Sequence, residues 1–184
     1  MFPNLGRQYH FIKQIGDGGS SIVNLAIDTH TGYPVAIKSL FDTIVTTHPV
    51  MLERLKKELQ IYLMLNHKSI VKPKDLIIKN NTAHLVMEYV EGKELGTYIN
   101  TVTGPMPKQH AISIFTEIVS AIGYAHDKKI SLPGFDGVLH LDIKPSNVLI
   151  VNSQDVKIID YGISKGTQEK RAKQAEGTPM YMAP

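Results

Sequence analysis

Residues 140–147 read HLDIKPSN and stand directly ahead of the apolar run VLI at 148–150. Asp142 can take a proton from a hydroxyl. Asn147 offers an amide oxygen to a hard cation, and Lys144 offers a positive charge to a phosphoryl oxygen. Pro145 stiffens the loop between them. A second acid, Asp160, closes the strand-like VKIID and precedes Tyr161 and Gly162. An acid at the end of a buried strand, ahead of a glycine, is well placed to bind a metal. Taken singly, each of these residues reads as a cap or turn residue; their order and spacing set them apart.

Working outward, the first third reads as an antiparallel meander. YHFIKQIGDGG alternates and ends in glycines, SSIVNLAID continues as a second strand, THTGY turns at Thr31 and Gly32, and PVAIKSLF is a third strand. The period then changes. From Pro49 to about Asn66, Leu52, Leu55, Leu59, Tyr62 and Leu63 recur at helical spacing, with Pro49 suited to a first turn. KDLIIKNNTAHLVMEYV predicts two more strands around an Asn80-Asn81 turn. The Asn-Asn-Thr there matches a glycosylation sequon but reads most simply as a hairpin. A linker is expected near EGKEL, residues 91–95, then a short helix over KELGTYINT. A longer helix from Pro107 to His126 carries Ile112, Phe115, Ile118, Val119 and Ile122 as its apolar stripe. After the loop SLPGFDG come two short strands, VLI and VKIID. The basic, aperiodic tail from Gly162 to Pro184 reads as a long loop, its cations solvated or a docking strip for acidic substrates.

The totals narrow the class. The chain has 184 residues, net charge +3, 42% hydrophobic and 20% charged residues. That suits one domain, or two small lobes, with a real core. The charge gives no argument for nucleic acid or a membrane surface. With no cysteine, disulfides, thiolate zinc sites and a cysteine nucleophile are excluded. No apolar run approaches the roughly 18 residues of a membrane span, and no secretory signal opens the chain. A cytoplasmic or nuclear protein is expected, and nothing in the sequence fixes an oligomeric state. His67 in LNHKSIV reads as a structural contact between lobes rather than a metal ligand.

Two further groups stand out. Gly16, Gly18 and Gly19 fall in a turn between strands, where glycine lets backbone N–H groups approach a phosphate, or simply supplies a tight hairpin. Ser21 stands where a G-x-G-x-x-G pattern has its third glycine. Lys38 ends the apolar VAIK of residues 35–38, so it needs an anionic partner or a route to water. Glu58 is the natural brace, mid-helix on the Leu55, Leu59 and Tyr62 side; Glu53 lies nearer the helix start, where acids are common.

Together these residues resemble the eukaryotic-type protein kinase set, serine/threonine branch. IGDGGSSIV matches its glycine-rich loop, VAIK its strand lysine, HLDIKPSN its catalytic loop and DYG its metal-binding triplet. GTPMYMAP is similar to the end of its activation segment. The match runs from about Tyr9 to Pro184, nearly the whole chain, and the five motifs in order are very specific.

The resemblance implies an α+β, protein-kinase-like fold in two lobes. Residues 9–90 would form a five-stranded antiparallel N-lobe with one helix. Residues 91–184 would form a partial, mainly helical C-lobe, without the family's further C-terminal helices. It also implies a kinase that passes the γ-phosphate of Mg2+-ATP to a Ser/Thr hydroxyl of a protein substrate. Asp142 would accept or orient the hydroxyl proton, and Lys144 would steady the γ-phosphate. Lys38, held by Glu58, would grip the α- and β-phosphates, and Asn147 and Asp160 would hold magnesium. Ile15, Gly16, Asp17, Gly18, Gly19, Ser20, Ser21, Ile22 and Val23 would cover the nucleotide. Val23 and Ala36 would roof the adenine and Leu149 floor it. Met87 would be the gatekeeper, with Glu88 to Val90 as the hinge. Lys144 and Thr178 match the serine/threonine branch.

The chain departs from the pattern at four places. Leu141 replaces the arginine before the catalytic aspartate, which weakens switching by loop phosphorylation. Tyr161 replaces phenylalanine in the triplet, and Ser21 replaces a glycine. The sequence ends at Pro184, one residue before an expected glutamate, so the helix around Ile112–Ile122 is expected to expose an apolar face. The alternatives to an active kinase are a pseudokinase or ATP-binding interaction module, and an inactive truncated relic.

Overall fold

The computed structural model describes residues 5, 8–18, 21–40, 62–79, 82–101, 104–127, 137–152, 155–161, 165–166 and 179–181. The chain divides into two compact units. The first takes Met1–Leu63 and Lys72–Tyr89, and the second Met64–Val71 and Val90–Pro184.

The first unit is built on five strands: β1 (Tyr9–Gly18), β2 (Ser21–Asp28), β3 (Pro34–Leu40), β4 (Pro73–Lys79) and β5 (Thr82–Glu88). They form one five-stranded antiparallel sheet, as expected, but in the order β1-β2-β3-β5-β4, so that β5 rather than β4 lies beside β3. Between β2 and β3 the chain reverses at Gly32, whose φ of 74° suits a residue without a Cβ. The turn closes through Gly32 N–H to Asp28 O (2.7 Å) and Asp28 N–H to Tyr33 O (3.0 Å). Because side chains alternate across a strand, Ala26, Val35, Ile37 and Val86 share one face with Leu5 and Tyr9 and are buried there as a core. Residues 62–64 are helical. The helix expected from Pro49 to about Asn66 ends by Met64, since Leu65 and Asn66 are not helical; its earlier part, with Glu53 and Glu58, lies outside the described residues, as does the Asn80-Asn81 turn.

The second unit carries helix α1 (Leu95–Thr101), helix α2 (Lys108–His126) and short strands β6 (Lys93–Glu94), β7 (Val138–Leu139), β8 (Val148–Ile150), β9 (Val156–Ile158) and β10 (Lys165–Gly166). Strands β6, β8 and β9 form one antiparallel sheet, and β7 pairs with β10. Its core gathers Ile114, Val148, Ile150 and Val156, with Leu95, Tyr98, Met106 and Ile118 packed against it.

Three sequence expectations change here. The expected linker at 91–95 is partly strand, because Lys93 and Glu94 pair with Ile150 and Leu149. A Cβ on Gly92 would stand 2.8 Å from the Ile150 carbonyl oxygen, so glycine is what lets the chain lie so close. The tail is not wholly loop: Lys165 and Gly166 pair with Leu139 and Val138, and Pro179–Tyr181 makes a 3-10 turn.

The apolar stripe on α2 divides. Ile114, Ala121 and Ala125 are its buried residues, with Ile118 packed against the core beside them, while Ile112, Phe115 and Val119 are exposed on another side. The inward face relies on alanines, which let the helix lie close but give a weak hydrophobic signal. The outward face has the bulkier residues, as an uncovered apolar face should. Among the described residues, no helix is long and apolar enough to cross a membrane.

Candidate active site

In the first unit, register places the predicted nucleotide residues on one face. Gly16 pairs with Val23, Val23 with Lys38, and Ala36 with Met87. Directly paired residues point to the same side of a sheet, and Ala36 and Lys38 are two apart on β3. Gly16, Val23, Ala36, Lys38 and Met87 therefore share the face opposite the Val35–Ile37–Val86 core. Ala36 and Met87 are buried; Val23 and Lys38 are half-buried. A Cβ on Gly16 would come 3.3 Å from Val23 Cβ, so this glycine answers to close packing rather than to positive φ. Ile15 and Asp17 are exposed, Ile22 is half-buried, and Ser21 is buried opposite Leu40. Gly18 pairs with Ser21 to close the strand pair, and Gly19 and Ser20 lie outside the described residues.

The register adds two residues that the motifs did not name. Leu25 pairs with Ala36, and Leu85 pairs with Lys38, so both share this face. Two-residue periodicity applied to β2 and β5 identifies them.

Glu88 points elsewhere. It pairs with Val35, and its Oε1 accepts the N–H of Lys72 (3.0 Å), while its own N–H donates to the Lys72 carbonyl (2.9 Å). Its side chain and its N–H thus tie β5 to the start of β4, and of its backbone the carbonyl is the group that could serve the expected hinge. Tyr89 and Val90 are half-buried.

In the second unit, the stretch 140–147 is bound as a single piece. Lys144 Nζ sits 2.8 Å from Asp142 Oδ2. Asn147 Nδ2 donates to the Asp142 carbonyl (2.9 Å) and to Asp142 Oδ2 (3.2 Å). Pro145 starts a 3-10 turn through Asn147, whose N–H donates to the Lys144 carbonyl (2.9 Å). Two bonds to oxygen acceptors fix which way the Asn147 amide points, so its carbonyl oxygen is the end available to a cation. Buried Asn147 leads into β8. Leu149, half-buried, alternates with Val148 and Ile150, which enter the core.

Asp160 is joined to this piece through its neighbour. Ile159 N–H donates to the Asn147 carbonyl (3.0 Å), and the Ile159 carbonyl accepts from His140 Nε2 (3.1 Å). The other ring nitrogen of His140, Nδ1, accepts the N–H of Asp142 (3.3 Å). A nitrogen that accepts cannot carry the proton, so this ring is the neutral Nε2–H tautomer. His140 is buried and packs on Tyr161 with ring centroids 4.4 Å apart. Burial pulls its pKa below the usual 6.5, and burial raises that of Tyr161 above its usual 10.0. His140 therefore holds both acids from behind: Asp142 through one nitrogen, and the residue before Asp160 through the other. The motif reading quoted His140 but gave it no role.

Two residues here have left-handed backbone, Leu141 and Asp160, each with φ of 65°. Asp adopts this region more readily than Leu, for which it costs about 1–2 kcal/mol. Strain of this kind collects at functional sites. At Leu141 it accompanies the Asp142-to-His140 bond that spans it. Thr178 lies outside the described residues.

The donor set fits magnesium. Hard oxygens from one or two side chains, completed by phosphates and water, are its usual protein share. Among the described residues no group of three histidines and carboxylates converges as a full metal cage. The Asn147 amide oxygen and the Asp160 carboxylate would be such a lighter set.

Comparison with known proteins gives the family. The protein kinase domain family matches residues 9–184. The chain is 32% identical over 182 residues to CBL-interacting protein kinase 33 of rice (Oryza sativa subsp. japonica), covering 96% of this chain and 38% of that protein. It is 33% identical over 190 residues to serine/threonine-protein kinase PknB of Mycobacterium leprae, covering 99% and 29%. It is 35% identical over 181 residues to serine/threonine-protein kinase PrkC of Bacillus subtilis, covering 96% and 26%. The chain thus spans less than two fifths of the length of each of these relatives. With the match reaching from the first strand to the last described turn, the chain belongs to the protein kinase domain family, with two of these relatives named as serine/threonine-protein kinases.

Proposed function

We propose that this domain transfers the γ-phosphate of Mg2+-ATP to a serine or threonine hydroxyl of a protein, acting in the cytoplasm or nucleus. The observation that carries the reading is the bonded piece Asp142–Lys144–Asn147. It combines an acid, a cation and an amide oxygen within one short loop, with each held by the others. Phosphoryl transfer asks the protein mainly for positioning and charge neutralisation, and this loop offers both.

Asp142 orients the acceptor hydroxyl and takes its proton. Lys144, already beside Asp142, steadies the γ-phosphate. Asn147 and Asp160 hold magnesium, which when bound offsets the charge of the phosphates. Lys38, braced by Glu58, grips the α- and β-phosphates. The β1–β2 hairpin covers them, from Ile15 through Gly16, Asp17, Gly18, Gly19, Ser20, Ser21 and Ile22 to Val23. Ala36, Met87 and Leu149 enclose the adenine, and the backbone from Glu88 to Val90 reads its edge. The working lobes follow residues 9–90 and 91–184, except that 64–71 and Val90 belong to the second compact unit.

The test pairs phosphotransfer to a serine- and threonine-bearing protein substrate with thermal unfolding. Magnesium-ATP at a hundred times its dissociation constant should stabilise by about 2.7 kcal/mol. That is a rise of about 5–10 °C for a chain of this size. Asp142→Asn should keep the rise and lower transfer by at least about a hundredfold. Asp160→Asn should lose most of the rise. A melt indifferent to magnesium-ATP, or full transfer by Asp142→Asn, overturns the proposal.

A further inference from the structure

We infer that Glu117 is a positioning residue for Asp160: it clamps residues 66–71 onto helix α2, and that segment fixes strand β9, which leads into Asp160. The inference rests on the kinase reading for its catalytic consequence, but its structural part stands separately.

Glu117 occupies an unusual place. It falls three residues after Ile114 and four before Ala121, at the edge of the face that α2 turns to the core. Its side chain is 21% exposed, and an acid there is costly unless its oxygens are engaged. Both are. Oε1 lies 2.7 Å from Lys68 Nζ, and Oε2 accepts the Ser69 hydroxyl at 2.7 Å. Lys68 and then Ser69 hold the carboxyl below its ordinary pKa.

Ser69 joins two elements because it also bonds the other way. Its carbonyl accepts the N–H of Ile158 (2.8 Å), and the Ile158 carbonyl accepts the N–H of Val71 (3.0 Å). Ile70, fully buried, thereby forms a parallel bridge with Ile158 at the end of β9. The next residue, Ile159, is held at both backbone groups by Asn147 and His140, and Asp160 then turns into the left-handed region. Ser69 thus links a helix carboxylate to the strand that presents Asp160. Asn66 N–H donating to Tyr124 Oη (3.0 Å), and His67 packed on Tyr124 at 5.3 Å, seat the same segment on α2.

The two ends of the clamp are unequal. Lys68 is 68% exposed on its side chain, so its pair with Glu117 is screened by water. The Ser69 bond, on a residue only 2% exposed, does the positioning.

The experiment uses the full-length protein, with amide hydrogen exchange over residues 156–161 and steady-state transfer against magnesium concentration. Glu117→Ala should speed exchange at Ile158 and Ile159 and raise the magnesium requirement about tenfold, with the protein-substrate KM unchanged. Ser69→Ala should do the same. Lys68→Ala should match wild type, and Glu117→Gln, whose amide oxygen still accepts the Ser69 hydroxyl, should recover most of the loss. If Glu117→Ala does not fold, Ser69→Ala decides. Unchanged exchange in the variants, or a lower melting temperature with an unchanged magnesium requirement, overturns the inference. A wild-type protein without transfer overturns the kinase reading alone, because the exchange comparison still decides whether the clamp holds β9.

Discussion

At the scale of single residues, the loop 140–147 is organised by a buried histidine. His140 is neutral by geometry, since one nitrogen accepts an N–H and the other donates to a carbonyl. Its folded pKa lies below the ordinary 6.5 because burial disfavours the cation. The unfolded chain therefore binds the proton more readily, and stability rises with pH across the interval between the two values. Its contribution is complete above about pH 6.5 and is lost as pH falls through the folded value. His67, also depressed mainly by burial, acts in the same direction but is less enclosed. Melting temperatures recorded from pH 8 to pH 5 should fall below about pH 6.5. His140→Gln should flatten that fall more than His67→Gln. A profile unchanged in His140→Gln would mean that the ring is not held neutral.

At the scale of elements, two glycines separate close approach from mere permissiveness. Gly92 lies where β6 meets β8, and a Cβ there would meet backbone that cannot swing aside. Gly92→Ala should destabilise by about 1–3 kcal/mol, seen as an earlier denaturant midpoint at constant slope. Gly123 sits inside α2, exposed, and a Cβ there would meet no described atom within 4 Å beyond its chain neighbours and its own helix backbone. Gly123→Ala should stabilise by about 0.5–1 kcal/mol, because alanine loses less backbone freedom in a helix. The expected rise in melting temperature is about 1–4 °C. Opposite signs for two Gly→Ala changes in one protein would be hard to obtain from any general effect of hydrophobicity.

The same elements show what the sequence could tell and why. The β1–β5 sheet was legible because runs of seven residues or more, rich in β-branched and other apolar side chains, are punctuated by Gly, Asp and Asn turns. Gly16, Val23, Ala36, Lys38 and Met87 then fall on one face, since register carries a motif residue on one strand to its neighbours on the next. The loop 140–147 was legible because its chemistry is local. The pairings of β6 with β8 and of β7 with β10 were not, because two residues carry no period. The place of 66–71 on α2 and β9 was hidden for another reason: its bonds reach 48 and 58 residues along the chain, through a serine and a backbone N–H that look ordinary. The inward face of α2 was masked by alanine and glutamate, which score as neutral or polar while packing inward.

At the scale of the whole molecule, the outward face of α2 makes the remaining prediction. Ile112, Phe115 and Val119 are 45%, 67% and 50% exposed, and they follow one another at helical spacing. Three such side chains in a row form a sticky strip on this 184-residue chain. Phe115→Glu with Val119→Lys replaces two of them with an i,i+4 acid–base pair in the favourable orientation. Neither side chain belongs to a core cluster, so stability should move by no more than about 0.5 kcal/mol per site. Self-association, read as the concentration dependence of sedimentation, should fall, while the magnesium-ATP shift of the melt stays the same. A loss of stability well beyond that range would mean that the strip is packed against other parts of this chain, and Phe115 would then have to be counted in its core.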